Sequence, residues 1–201
     1  MANQLKYAFR LTHIDNIQGI MTKGLVRASS PLRDENYVSI GDVQVIQVRK
    51  DRKYQGFQLS DFMPFYFGPR SPMLHGFNGV PKVKPEDIVY CVIRIEDIIK
   101  NDIDCIFTDG HALSSLTNYY YKSSLANLNN IVNYDDVYST YWNIEEDPDL
   151  KRRKEAELLI NNDLPAQYIR GFVVYNETAK EHLISIGVDA NLIVVMPGYY
   201  F

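Results

Sequence analysis

The 201-residue chain is long enough to bury a real core as one domain, and 46% hydrophobic with 23% charged residues excludes a disordered chain. No run approaches the roughly 20 apolar residues of a membrane helix, MANQLKYAFR has no secretory apolar region, and Cys91 and Cys105 form neither a disulfide framework nor a metal spacing, so a cytoplasmic protein with reduced thiols is expected. A net charge of −4 argues against wholesale nucleic-acid coating, yet residues 1–53 carry nine Lys/Arg against five Asp/Glu, which suits either a local phosphate site or a solvated basic face.

Residues 5–11, LKYAFRL, read as a first strand. Thr12 and Asp15 make a capping-box pattern, and Ile14, Ile17, Ile20 and Met21 recur at helical spacing until Gly24. Thr12 and His13 therefore lie where a strand feeds a helix N-terminus, a ready anion site, or else simply cap the helix. RASSPLRDEN (27–36) is loop-like and fits a flap over a ligand, and residues 37–49 fit strand or helix equally. The basic group Arg49, Lys50, Arg52 and Lys53 ends that segment as a helix terminus would.

DFMPFYFGPRSPML (61–74) has Phe62, Phe65, Tyr66 and Phe67 running into two prolines. It reads as a buried strand ending in a rigid turn, or as a strand handing Asp61, Arg70, Ser71 and His75 to a pocket mouth. A loop from Gly76 to Pro85 follows, then the clearest buried strand, Ile88 to Ile95, a helical turn over Glu96 to Lys100, and a short strand from Cys105 to Phe107. NYYYKSSLANLNNIVNYDDVYSTYWN holds six tyrosines and the one tryptophan. We read it as a helical insertion with Leu125, Leu128 and Ile131 inward and several tyrosines outward, where rings can stack on bases. A charged lead-in, DLKRRK, precedes EAELLI, whose alternation puts Glu155 and Glu157 on one side of a strand, as a catalytic mouth or as edge charges. The chain closes with strand, helix and strand in GFVVY, TAKEHLISIG and NLIVVM. There is no phosphate-loop glycine pattern and no metal-ligand spacing among His13, His75, His111 and His182, so no metal is expected. Short strands with a few helices indicate an α+β domain.

The ordered set THIDNIQGI, SIG followed by Arg49, DFMPFYFGPRSPML, FTDGHA, and STYWN followed by KEAE resembles the DarT family from about Tyr7 to the C-terminus. These are the toxins of DarT–DarG toxin–antitoxin systems, which ADP-ribosylate bases of single-stranded DNA. The resemblance implies the ADP-ribosyltransferase fold, a split mixed β-core with surrounding helices and a long substrate loop, in a single domain over residues 1–201. NAD+ would be the co-substrate, without a metal, and a macrodomain antitoxin of the DarG type would be the partner. By position, Arg49 and Glu157 are the catalytic pair, and Arg10, Leu11, Thr12, Gly19, Arg27, Arg49, Phe65, Tyr66 and Ser71 would contact NAD+. Residues of about 32–52 would form a flap over the dinucleotide, and about 111–157 the loop that receives DNA. Where family members commonly carry HIT, this chain has Arg10, Leu11, Thr12, replacing a ring with a guanidinium fork.

Breaking the bond from ribose to nicotinamide needs a carboxylate beside developing positive charge, which Glu157 can supply, and a cation, which Arg49 supplies. On the DNA side, Tyr119, Tyr120, Tyr121, Tyr141 and Trp142 would stack on bases, and Lys122, Lys151, Arg152 and Arg153 would meet phosphates. Unpaired bases avoid the unstacking cost of a duplex, with thymine as the expected target and guanine as the alternative. A transferase of this fold acting on RNA or protein, or a noncatalytic nucleic-acid-binding module, are the competing expectations.

Overall fold

The computed structural model describes residues 3–54, 56–75 and 83–201. Its strands are β1 (Tyr7–His13), β2 (Lys53–Tyr54), β3 (Phe57–Gln58), β4 (Met63–Tyr66), β5 (Ile88–Arg94), β6 (Cys105–Thr108), β7 (Tyr119–Tyr121), β8 (Glu157–Ile160), β9 (Ile169–Val174) and β10 (Ile193–Val195). The helices are α1 (Ile17–Lys23), α2 (Val43–Asp51), α3 (Ile95–Lys100), α4 (Leu128–Ile131), α5 (Tyr134–Val137), α6 (Leu150–Lys154) and α7 (Glu177–Ser185). Eight strands form one sheet in the order β10-β9-β5-β1-β4-β8-β6-β7, and β2 and β3 pair as a separate hairpin. The β9–β10 pair is parallel and the remaining pairs are antiparallel, which makes the sheet mixed.

The sheet is split at its centre. β1 and β5 stay in register from Tyr7↔Arg94 to His13↔Ile88, and β4 pairs with β8 from Met63↔Ile160 to Tyr66↔Glu157. Between these halves, β1 meets β4 at Phe9↔Tyr66. Beyond that point the halves part, and their unpaired edges become the walls of a cleft. Apolar clusters hold each half. The largest contains Phe65, Phe67, Val89, Cys91, Leu158, Ile160 and Phe172. A second gathers Phe9, Leu11, Ile40 and Tyr90, and a third Leu59, Phe62, Ile106 and Leu159. The alternation of β8 explains the division: Leu158 and Ile160 enter the first cluster, whereas Leu159, and with it Glu157, points the other way.

Several local expectations are revised. β1 continues through His13, so Thr12 is not a helix cap; His13 caps a single 3-10 turn, its Nδ1 accepting the Asp15 N–H at 3.2 Å. Thr12 is instead fully buried. The ambiguous segment 37–49 resolves as irregular chain over 37–42 followed by α2, whose N-cap Asp42 accepts from the Gln44 and Val45 amides. NYYY forms an edge strand, β7, rather than a helix, because Ile106, Phe107 and Thr108 offer it a ladder. Leu125 and Leu128 do turn inward and Ile131 packs partly against them. DLKRRK is the short helix α6. The loop expected from Gly76 to Pro85 lies mostly outside the described residues.

The turn after β4 is anchored from three sides. Arg70 has φ 55° and its amide donates to Tyr90 Oη at 3.1 Å, while its guanidinium lies 4.4 Å over the Phe201 ring. Lys154, 2% exposed, donates to the carbonyls of Pro69 at 3.2 Å and Val137 at 3.1 Å. Gly68 lies so close to α5 that a Cβ there would sit 1.9 Å from the Val137 carbonyl oxygen. The contact is backbone on backbone, so no rotamer relieves it. Gly68→Ala is expected to lose about 3 kcal/mol of stability, measured by urea unfolding; an unchanged midpoint would refute this packing.

Candidate active site

The parted halves of the sheet enclose a cleft of about 600 Å³. Arg10 and Leu11 of β1, Pro64 and Tyr66 of β4, and Arg49 of α2 face it, with Ile40 and Phe62 as apolar wall. The β4 alternation decides which aromatic residue reaches it: Tyr66 does, whereas Phe65 is fully buried in the largest cluster. Phe65 is therefore core and not a cofactor contact.

At the cleft floor Arg49 and Glu157 form an ion pair between residues 108 positions apart. Arg49 Nη2 donates to Glu157 Oε1 at 2.8 Å and Oε2 at 2.6 Å. Oε1 also accepts the Ala112 amide at 2.9 Å. Glu157 is wholly inaccessible and Arg49 is 9% exposed. The β6 strand holds the carboxylate's backbone, since the Glu157 amide donates to Thr108 Oγ1 at 3.1 Å and that hydroxyl donates to the Gly110 carbonyl at 2.7 Å. Burial works against the guanidinium charge, but the attraction and hydrogen bonds of Glu157 outweigh it and hold Arg49 above the ordinary arginine range. Arg49 Nη1 is buried with no hydrogen-bond partner among the described residues. A buried donor left unpaired is costly, and it marks the position where a ligand oxygen would be bound.

Three further titratable groups line the same end. Burial raises the Tyr66 phenol, with the charges of Glu157 and Glu155 adding to the effect, so it stays neutral. Burial lowers His111, which stays an uncharged imidazole. Burial also pushes the Glu155 carboxyl up to about 7, Lys151 pulling the other way and Glu157 adding to the rise.

The remaining expected NAD+ contacts divide clearly. Arg10 faces the cleft while its Nη1 donates to the Pro64 carbonyl at 3.0 Å, bracing the seam where β1 and β4 part. Gly19 lines the cleft wall. Arg27 does too, with its Nε at 3.4 Å from Asp163 Oδ1 and its Nη1 donating to the Asn161 carbonyl. Thr12 and Ser71 do not reach it. Thr12 Oγ1 accepts from Asn16 Nδ2 at 2.9 Å and lies 3.2 Å from Tyr37 Oη, so it steadies a tyrosine that does line the cleft. Ser71 Oγ accepts the Met73 amide inside the turn. Asp61 caps the Gln58 amide and His75 packs edge-on against Phe201, so neither opens onto the cleft. Asn16 was not foreseen: its side chain both accepts from the Val38 amide at 2.9 Å and donates to the Val38 carbonyl at 2.8 Å, pinning the segment that covers α1. An asparagine in a helix start carries no sequence signal for such a long-range clamp.

The expected DNA contacts are corrected more heavily. Arg152 is held by Asp149 and Asp109, and Arg153 by Asp136, Asp147 and Asp149, so their charges are already matched inside the fold. Lys122 pairs with Asp102 at 2.7 Å. Trp142 is buried against Phe201 and beneath the Lys154 ammonium. Tyr120 stacks on Phe107 and lies 3.3 Å from Asp109. Tyr119 stacks on Tyr54 at 4.3 Å and donates its hydroxyl to the Ala112 carbonyl, one peptide from the amide that holds Glu157. Tyr121 and Tyr141 are exposed. Cations without a carboxylate partner among the described residues that stand near this end of the cleft include Lys50, Arg52 and Lys53 around the end of α2, and Lys151 at the cleft edge.

Fold and site together are those of an ADP-ribosyltransferase: a split α+β sheet with a buried arginine–glutamate pair at the floor of its cleft. The family model described as DarT, ssDNA thymidine ADP-ribosyltransferase, matches residues 9–201. A DNA ADP-ribosyl transferase of Escherichia coli O127:H6 is 31% identical, covering 96% of this chain and 92% of that protein. A DNA ADP-ribosyl transferase-DNA ADP-ribosyl glycohydrolase fusion protein of Thermosipho africanus is 31% identical over 100% of this chain and 51% of its own length. Thermus sp. 2.9 DarT, solved in complex with ADP-ribosylated ssDNA, superimposes with a TM-score of 0.80 at 25% identity, covering 100% of this chain and 99% of that one. The same protein in complex with NAD+ gives a TM-score of 0.75 at 25% identity, covering 100% of both chains. The chain belongs to the DarT family of DNA ADP-ribosyltransferases.

Removing one partner of the floor pair leaves the other charge buried and uncompensated. Arg49→Met is expected to cost about 3–5 kcal/mol in urea unfolding, and adding Glu157→Leu to recover most of it. Equal losses in the single and double variants would contradict the pairing.

Proposed function

We propose that the chain transfers ADP-ribose from NAD+ to thymine in single-stranded DNA and releases nicotinamide. The observation that carries this reading is the buried Arg49–Glu157 pair, with Arg49 lining the cleft and Glu157 beneath it, in a DarT-family chain. As the bond between ribose and nicotinamide breaks, positive charge develops on the sugar, as in other oxocarbenium-like glycosyl transfers. A carboxylate fixed beforehand beside that carbon stabilises the charge without reorganisation, and Glu157, locked by Arg49 and the Ala112 amide, is fixed in this sense. Arg49 offers its unpaired Nη1 to a substrate oxygen.

In this reading the whole chain, about 1–201, is one catalytic domain. Arg10, Leu11, Gly19 and Arg27 contact the dinucleotide, Tyr66 closes its nicotinamide end, and residues of about 32–52 cover it, held down through Tyr37 and Val38. The residues of the cleft fit such a ligand: apolar walls for rings, guanidinium groups for phosphates and an orphan buried donor. Residues of about 111–157 receive the DNA. Tyr121 and Tyr141 present exposed rings to stacking, and Lys50, Arg52, Lys53 and Lys151 replace Arg152, Arg153 and Lys122 as phosphate contacts, because they make no ion pair among the described residues. Transferase and glycohydrolase share one chain in the Thermosipho relative, which supports a cytoplasmic toxin countered by a macrodomain partner of the DarG type. No helix of the described residues is long and apolar enough to cross a membrane.

Incubation with labelled NAD+ and, separately, single-stranded DNA, duplex DNA, RNA and protein is expected to label the single strand. Glu157→Gln is expected to reduce that labelling by at least about 10²-fold while the fold and NAD+ binding persist. Near-normal transfer by this variant would sink the proposal. Replacing Lys50, Arg52 and Lys53 together with alanine is expected to lower the slope of log affinity against log salt for single strands by about 2, read by fluorescence anisotropy.

A further inference from the structure

The acceptor base must lose a proton. In a DNA strand the N1 of thymine carries the sugar, so its one ring N–H is at N3, and that group is scarcely ionised at neutral pH. Neither member of the floor pair is suited to take the proton. Arg49 is held in its charged form and has no acceptor atom. Both oxygens of Glu157 are engaged by Arg49, and one also by the Ala112 amide.

Asp15, Asp34 and Asp42 also line the cleft, but it is Glu155 and His111 that feel the charges of Arg49 and Glu157, and neither makes a side-chain hydrogen bond or ion pair among the described residues. Glu155 stands two residues before Glu157 but outside β8, as the C-cap of α6 with φ −91° and ψ 24°, so this turn, and not the strand alternation expected from EAELLI, places its carboxylate on the cleft. It opens onto the cleft while Glu157 is closed beneath it. Lys151 and Lys154 of α6, Glu157 of β8, Arg49 of α2 and Tyr66 of β4 surround it.

We propose that Glu155 is the proton acceptor for the target base. Its carboxylate takes the N3 proton as the bond from N3 to the ribose C1″ forms and the bond from C1″ to the nicotinamide nitrogen breaks. Nicotinamide leaves neutral with that electron pair, and the protonated Glu155 returns its proton to water through the cleft mouth. The assignment rests on the DNA-base reading above and gives the neighbouring carboxylates separate tasks: Glu157 stabilises the sugar, Glu155 prepares the nucleophile. Burial pushes the Glu155 carboxyl up to about 7, which brings its basicity towards that of the N–H it must ionise, whereas burial weakens His111 as a base.

The test compares wild type, Glu155→Gln, His111→Gln and Glu157→Gln on a thymine-containing single strand, with rates followed against pH and NAD+ binding followed by its stabilisation against thermal unfolding. Wild-type transfer is expected to rise through about pH 7 as Glu155 ionises. Glu155→Gln should bind NAD+ normally, lose that inflection and fall by about 10²–10⁴-fold near neutrality. It should recover in alkali, or on strands carrying 5-fluorouracil, whose N3–H is more acidic. Glu157→Gln should show no such rescue. An unchanged rate and pH profile in Glu155→Gln, or loss of the inflection in His111→Gln instead, would overturn the assignment. Wild-type protein that labels no DNA but labels RNA or protein would overturn the DNA reading itself, a separate result.

Discussion

A buried charge pair governs this structure. Glu157 is fully withdrawn from water, and an isolated carboxylate there would be prohibitively costly. Arg49 makes it tolerable only if α2 is carried across from the far side of the cleft and set down with its last turn against β8. The pair is thus at once the proposed catalytic group and the tie between the α2 segment and the sheet. Its geometry also leaves Arg49 Nη1 without a partner among the described residues, and in a protein interior such a donor calls for a ligand acceptor.

The split in the sheet supplies the space for that chemistry. Strong pairing of β1 with β5 and of β4 with β8 makes two stiff halves, while the single meeting of β1 and β4 lets them part. Arg10 bridges the seam through the Pro64 carbonyl, so it acts partly on the shape of the cleft. A guanidinium bonded to backbone on one side still presents further N–H groups to a ligand on the other.

The charges fall into two populations with different tasks. Asp109, Asp136, Asp147 and Asp149 gather Arg152 and Arg153 into a network that orders the segment leading to Glu157. Such matched cations contribute little to attraction of phosphate. Lys50, Arg52 and Lys53 make no ion pair among the described residues and follow Arg49 directly in the chain. An acidic protein can in this way keep a local positive field where a polyanion must approach, even at a net charge of −4.

Much of this was legible from sequence. The apolar run of Ile88 to Ile95 and the closing strand, helix and strand follow from periodicity, which is local. The blocks around Arg49, DFMPFYFGPRSPML and Glu157 carried the family resemblance and singled out the two residues that the fold brings together as an ion pair. Tertiary structure decided what composition leaves open. Phe65 and Tyr66 are neighbours in the same aromatic stretch, and only the pairing of β4 with β8 sends one to the core and the other to the cleft. Arg152 looks like a phosphate contact until Asp109, 43 residues away, claims it. Glu155 and Glu157 are the same residue type two positions apart, yet Glu155 caps α6 and stays open to the cleft, while Glu157 starts β8 and is locked by an arginine 108 positions distant. Charge pairing and desolvation depend on distances in space between residues far apart in the chain, and the order of the residues alone does not contain those distances.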